Sequence, residues 1–357
     1  MKLIFFSLVF VTVFLFGLNA QSYREEEVSF QNGEVSLAGT LSFPAKNDKK
    51  HRAIILVSGS GPQNRDSEVV GFKPFKLLAD FFNSEGYAVL RYDDRGVGKS
   101  AGKSVGESTT EELAEDARQA FLFLQSRKDI DARRIGLLGH SEGGVVVPIV
   151  AAREKVSFII LMAGFGVKGV DLTNAQQAAI LRSSGMSEEF VKASNDMNRE
   201  VMRKLSDDQV TEDQLRDFVK AETLKLLPLL PENIQAQIPD KEMYAVMAAN
   251  QAVAQMKSPW IRFYMSYDPL PVLAQVTCPV LMLFGELDTQ VLPSQNSDLM
   301  KNALLKAGNK DVTAVTIPKA NHLFQEATTG NPAEYATLKK EFSPELNKTL
   351  KEWLDGR

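Results

Sequence analysis

The chain has 357 residues, 44% of them hydrophobic and 24% charged, with a formal net charge of −4. That length suits one sizeable domain carrying an insertion, and the composition is that of a globular protein. A mildly acidic chain whose basic residues are scattered among acids lacks the basic surface that a nucleic-acid partner requires.

Met1-Lys2 opens the chain with a short basic start, and residues 3–16 are largely apolar. Gly17-Leu18-Asn19-Ala20 follows, and this order reads as an export signal cut after Ala20. The apolar run is shorter than the ~20 residues a spanning helix needs. A secreted or periplasmic protein is therefore expected, with no stable membrane insertion once the signal is removed. No cysteine lies near the start to carry a lipid. The one cysteine, Cys278, has no internal disulfide partner. It sits in Val-Thr-Cys-Pro-Val, where core packing is its expected role.

Residues 27–43 alternate apolar and polar around Asn32-Gly33, a hairpin signal. Residues 53–57 form an apolar run that ends in the loop Ser58-Gly59-Ser60-Gly61-Pro62. A helix is predicted over 73–85, closed by Gly86. A strand follows over 87–91 and ends in Asp93-Asp94-Arg95-Gly96. Ser108 with Glu111, and Thr109 with Glu112, have capping-box spacing before a helix reaching about Arg127. A strand over 134–138, a helix over 142–152 and a strand over 157–162 come next. Continuous apolar strands alternating with helices imply an α/β fold whose mostly parallel sheet is covered on both faces. The alternation stops near residue 170. Residues 171–262 read as amphipathic helices with interspersed methionines. Strands resume over 280–284 and 312–317, and a final helix is predicted over 333–354. The expected organisation is a core of residues 21–170 and 263–357 around a helical insertion, 171–262.

Gly139-His140-Ser141-Glu142-Gly143 lies between a predicted strand and a predicted helix, the context of a nucleophile elbow. Glycines flank the serine because the turn leaves no room for bulk. Ser141 is the candidate nucleophile, lifted out at the carboxyl edge of the sheet where ligands bind in such folds. A serine hydroxyl needs a base, and the chain has three histidines. His51, in Lys-Lys-His-Arg, is expected on the solvated surface. His140, inside the elbow, is expected to be packed or hydrogen-bonded locally. His322 follows the strand 312–317 in a loop at the same sheet edge as Ser141 and is the candidate base. The acid behind it should follow an earlier strand. Asp288, in Gly285-Glu286-Leu287-Asp288, is favoured, with Glu286 as its rival. The backbone N–H of Glu142 is one candidate oxyanion donor. The second is the N–H of Ser60, with Gly61 behind it.

Gly98-Lys99-Ser100 and Gly102-Lys103-Ser104 look like the end of a phosphate-binding loop. That motif needs a glycine five residues before its second glycine, and Asp93 and Val97 stand there instead. No His, Cys or Glu grouping has metal-ligand spacing, so no metal and no cofactor are expected.

Four motifs in order, Ser58-Gly-Ser-Gly-Pro-Gln-Asn-Arg-Asp66, Arg91-Tyr-Asp-Asp-Arg-Gly-Val-Gly-Lys-Ser100, Gly139-His-Ser-Glu-Gly-Gly144 and Gly285-Glu-Leu-Asp288, resemble bacterial α/β-hydrolase esterases. The serine aminopeptidase-like and bile-acid-CoA-acyltransferase-like branches are the nearest. The resemblance covers about residues 30–170 and 265–350. It implies an eight-stranded sheet, a Ser-His-Asp triad of Ser141, His322 and Asp288, and hydrolysis of acyl esters or amides. One departure is Ser58-Gly59, where the usual motif has His-Gly. A carboxylesterase acting on a small-molecule ester is the leading expectation, with residues 171–262 as a cap over the site. A peptidase or thioesterase would use the same triad. A non-catalytic ligand-binding protein on this fold would show a damaged triad, and the motifs here are intact. Substrate identity and oligomeric state are not legible at this level.

Overall fold

The computed structural model describes residues 23–45, 50–205, 207, 209–306, 308–355 and 357. The expected export signal over residues 1–20 lies outside the described residues. Among the described residues, no helix is long and apolar enough to cross a membrane.

An eight-stranded sheet organises the chain. β1 (Glu25–Asn32) and β2 (Val35–Ser42) form the expected hairpin, with Asn32 opposite Val35 and Gly33 at φ 57° in the turn. β3 (His51–Val57), β4 (Tyr87–Tyr92), β5 (Ile130–His140), β6 (Ile159–Met162), β7 (Val280–Gly285) and β8 (Val312–Ile317) complete it. The spatial order is β1-β2-β4-β3-β5-β6-β7-β8. β2 runs antiparallel to both its neighbours, and every later pairing is parallel. Every residue of β4, β6 and β7 is buried, as in a parallel sheet with helices on both faces.

This order contains a reversal that positions the site. From β3 the chain crosses to β4 on one side, then returns to place β5 on the other side of β3. The loops leaving β3 and β5 thus diverge around a crevice at the carboxyl ends of adjacent parallel strands, the place where such sheets bind ligands.

The helices that flank the sheet are α1 (Pro74–Ser84), α2 (Thr110–Ser126), α3 (Gly143–Ala151) and, after the insertion, α11 (Pro293–Lys306) and α12 (Pro344–Leu354). Of the two capping-box spacings, Thr109 with Glu112 is the one that caps α2. The Thr109 hydroxyl accepts from Glu112 N–H at 3.2 Å, and the Glu112 carboxylate accepts from Thr109 N–H at 2.9 Å. Ser108 instead donates its hydroxyl to Ser104 O at 3.0 Å.

Between β6 and β7 the chain is helical: α4 (Gly169–Ser183), α5 (Glu188–Leu205), α6 (Glu212–Leu226), α7 (Glu232–Gln235), α8 (Lys241–Met256), α9 (Pro259–Ser266) and α10 (Leu270–Leu273). α4 packs on α5 and α9, and α6 on α8, while α9 also reaches α2.

Three sequence expectations are corrected. The last helix begins at Pro344, not near 333; Pro332–Glu334 is an isolated 3-10 turn. Ser343, pushed toward extended backbone by the following proline, donates its N–H to Phe324 O at 2.8 Å and breaks any continuous helix. β5 starts at Ile130, four residues early, because Ile130 already pairs with His51. His51 is not a surface residue. It is 5% exposed, packs against the Phe43 ring at 5.4 Å, and begins β3, which neighbours cover on both sides.

Candidate active site

β5 ends at His140, and Ser141 turns the chain with φ 55°. A non-glycine residue at positive φ costs about 1–3 kcal/mol and persists only where its surroundings hold it. Here Ser141 N–H donates to Met162 O at 2.9 Å, and Gly144 N–H donates to Ser141 O at 2.8 Å. The flanking glycines are required by close approach. A Cβ at Gly139 would lie 2.0 Å from Gly143 O, and one at Gly143 would lie 2.3 Å from Val57 O. The ends of β3 and β5 and the start of α3 are thus pressed together, and the serine side chain is left half-exposed above them.

His322 stands in the loop after β8. Asn321, fully buried, shapes that loop by accepting from Leu323 N–H at 2.9 Å and Gln325 N–H at 3.0 Å. The His322 Nδ1–H donates to Asp288 Oδ2 at 2.8 Å. The other Asp288 oxygen accepts from Gln290 N–H at 2.7 Å and Val291 N–H at 2.8 Å. Both oxygens are therefore fixed, and the residue is 2% exposed. Glu286 points elsewhere: its carboxylate accepts from Lys319 N–H at 2.8 Å. Among the described residues no hydrogen bond joins the Ser141 hydroxyl to the His322 ring.

The elbow and the histidine loop are joined through His140. Its Nε2–H donates to His322 O at 2.9 Å, and the two rings lie 4.7 Å apart. Because a carbonyl only accepts, Nε2 carries the proton. Burial, with the neighbouring His322 charge, lowers the His140 pKa to about 4, so the ring is neutral at ordinary pH. The bond spans 182 residues of sequence: the ring is packed, one of the two expectations for it, and its hydrogen-bond partner is distant in sequence.

The loop after β3 is held from below by the segment after β4. Asp94 accepts from Ser58 Oγ–H at 2.6 Å and Gln63 N–H at 2.9 Å. Asp93 takes Arg65 in a fork, with Nε at 3.1 Å and Nη2 at 2.8 Å. Arg95, next along, forks onto Asp116 of α2 at 2.7 and 2.8 Å. The three residues just before the false phosphate loop are thus a brace for the crevice. Burial raises Asp94 to about 7, and the nearby Asp116 and Glu142 charges push the same way.

The backbone N–H groups of Ser60 and Glu142 donate to no acceptor among the described residues. The Glu142 residue is 1% exposed. Its carboxylate accepts from Thr110 Oγ–H at 2.7 Å and from Trp260 Nε1–H at 2.9 and 3.0 Å. Burial raises its pKa. Among the described residues no group of three or more His, Cys, Asp or Glu side chains is placed to hold a metal ion.

Asp93, Asp94, Thr110 and Trp260 had not been singled out from the sequence. Two adjacent aspartates and an arginine just after a wholly buried strand were a usable signal for the brace. Nothing local marks Trp260, which comes from the insertion.

Residues 72–327 match the family described as serine aminopeptidase, S33. The esterase EstD of Thermotoga maritima is 24% identical over 319 residues, covering 89% of this chain and 64% of that protein, so the chain spans less than two thirds of this relative. The esterase Pf2001 of Pyrococcus furiosus superposes with a TM-score of 0.55 at 15% identity, over 94% of this chain and 91% of that one. The α/β-hydrolase GrgF of Penicillium sp. sh18 gives 0.54 at 18% identity, over 93% and 97%. With the fold and the family match in agreement, the chain belongs to the serine aminopeptidase S33 family of α/β-hydrolases.

Proposed function

We propose that the protein is a serine carboxylesterase working through Ser141, His322 and Asp288. The observation that carries this reading is the buried 2.8 Å bond from His322 to Asp288, on a loop tied through His140 to an elbow whose serine has φ 55°.

In this reading the Ser141 hydroxyl attacks the ester carbonyl carbon while His322 Nε2 takes its proton. Asp288 holds the tautomer with the proton on Nδ1 and stabilises the imidazolium that forms. The N–H groups of Glu142 and Ser60 receive the developing oxyanion, a contribution of a few kcal/mol per donor. Collapse breaks the bond to the alcohol, which leaves with the proton from His322. Water then attacks the acyl-serine with His322 again as base, and the acid is released. Catalytic hydrogen bonds are often long before substrate binds, so the serine–histidine contact is assigned to the bound state.

The helices α4 to α9 act as a cap. Among them α4, α5, α6 and α8 line a cavity of about 300 Å³ with Phe190, Val201 and Leu227 beside the amides Gln177, Asn198 and Gln251, and with no Asp, Glu, Lys or Arg. That part of the cap offers no counter-charge for the amino terminus an aminopeptidase must hold, which leans toward an ester substrate. The EstD and Pf2001 likenesses lean the same way.

The test compares acyl esters of rising length, aminoacyl amides and acetylated sugars, with Ser141→Ala as control. Ester turnover should exceed amide turnover by a wide margin and vanish in the variant. Amide cleavage as fast as ester cleavage would overturn the assignment.

A further inference from the structure

Glu142 does two unlike things. Its backbone follows the elbow serine, and its buried side chain meets only neutral donors, the Ser60 hydroxyl of the loop after β3 among them. Thr110, the first residue of α2, gives one hydrogen bond, and Trp260, from α9 of the insertion, gives its indole N–H to both carboxylate oxygens. Among the described residues no basic residue pairs with it. The ionisable groups around it are Asp94 from the loop after β4, Asp116 from α2, already forked by Arg95, and the Tyr264 hydroxyl of α9. A buried carboxylate with no cation depends on each hydrogen bond it keeps.

α9 is seated to deliver that bond. Ser258 caps it, accepting from Ile261 N–H at 3.3 Å, and the same hydroxyl donates to Gly106 O at 2.8 Å, fastening the helix start to the turn before α2. The Trp260 ring lies 5.0 Å from that of Tyr264, which meets Phe165, just past β6, at 5.5 Å. At Gly169, the start of α4, a Cβ would fall 2.2 Å from Tyr264 O. The helix is therefore wedged between the insertion and the elbow.

We propose that Trp260 is a positioning residue for the reaction: its indole N–H holds the Glu142 side chain, and through it the backbone N–H that receives the oxyanion, so that turnover depends on how the cap helix α9 is seated. The inference rests on the reading of Glu142 N–H as an oxyanion donor. It accounts for a buried acid beside the nucleophile whose side chain has no place in the reaction itself. A cap that shifts on binding substrate would act on the oxyanion site through this bond and through Tyr264 of the same helix, which hydrogen-bonds Ser60.

The experiment has an activity arm and a spectroscopic arm. Trp260→Phe keeps the ring and removes the donor. It should lower kcat about ten-fold with KM little changed, less than the roughly hundred-fold loss that accompanies removal of a whole oxyanion donor. Glu142→Met, which removes the acceptor, should lower kcat similarly, and the double variant should be no worse than either single, because both break the same bond. Ser141→Ala is run alongside. If it retains turnover, the serine mechanism falls; if it is dead while Trp260→Phe turns over as the parent does, the present inference alone falls.

The second arm keeps Trp260 and replaces the other tryptophan, Trp353→Phe. The remaining emission should change with pH, at a midpoint above the ordinary carboxyl range, as Glu142 takes a proton. The change should vanish in Glu142→Gln and persist in Asp94→Asn. A pH response unaltered by Glu142→Gln would refute the contact, even if Trp260→Phe proved too unstable to assay.

Discussion

Asp288 and Glu286 stand two residues apart on one loop, yet their carboxylates serve different neighbours. Asp288 is buried with both oxygens engaged, one by His322. Glu286 is exposed and steadies Lys319, whose own φ is 55°. Asp288→Asn should therefore lower kcat by about 10³–10⁴-fold by favouring the wrong tautomer. Glu286→Gln should leave it within about ten-fold, as an exposed substitution. Steady-state kinetics decide, and the reverse order would reassign the acid. Asp94 carries a pH prediction. Its carboxyl titrates at about 7 when folded and near 3.9 when unfolded. Between those values the folded state holds a proton that the unfolded chain has released. The stability this contributes is present in acid and is lost as pH rises through about 7. Asp94→Asn removes that dependence, so its melting temperature relative to the parent should climb from pH 5 to pH 8. A constant difference across that range would contradict the assignment. At this scale the sequence was informative about Ser141, Asp288 and His322, because each follows a recognisable strand in a fixed chain order. It was silent about the partner of His140, since a bond to a carbonyl 182 residues away leaves no trace in local spacing.

The elbow, as an element, depends on missing side chains. Gly139→Ala would place a methyl 2.0 Å from Gly143 O, a clash with backbone that cannot swing aside. The expected cost is about 3 kcal/mol or more, read as a lower urea midpoint together with loss of turnover; a midpoint equal to the parent's would show that the turn is looser than described. The segment after β4 is a second element with a testable dependence. Arg95 and Asp116 are both nearly buried, at 5% and 3% of side-chain exposure, and forked together. Arg95→Met strands the aspartate and should cost about 3–5 kcal/mol, while Arg95→Met with Asp116→Leu should recover most of that loss. Equal losses in both variants would mean that the pair is no more than packing. The strands themselves were readable because buried parallel strands are unbroken apolar runs. The false start of the last helix arose because Asn331, Pro332 and Pro344 impose turns that a polar stretch does not advertise.

Across the whole molecule, one contiguous apolar core joins the sheet to the insertion. Leu172, Val201, Leu205, Leu215 and Val219 from the helices belong to the same buried cluster as the residues of β3 to β7. The protein should unfold in one step. Emission from Trp260, on α9, and from Trp353, on α12, followed separately in the two single Trp→Phe variants, should give one urea midpoint after correction for each variant's own stability. Two midpoints would mean that the cap melts independently. The insertion was legible as helical from its amphipathic spacing. Its grip on the elbow was not, because that grip, with the Trp260 indole bond in it, forms across the fold. The bond from His140 to the loop of His322 has a further consequence for a ribosome still making the chain. The elbow emerges long before the base that would activate it, and the last strand must dock before the two meet. In the proposed mechanism a nascent or truncated polypeptide would lack its base and stay inactive until the last strand has docked.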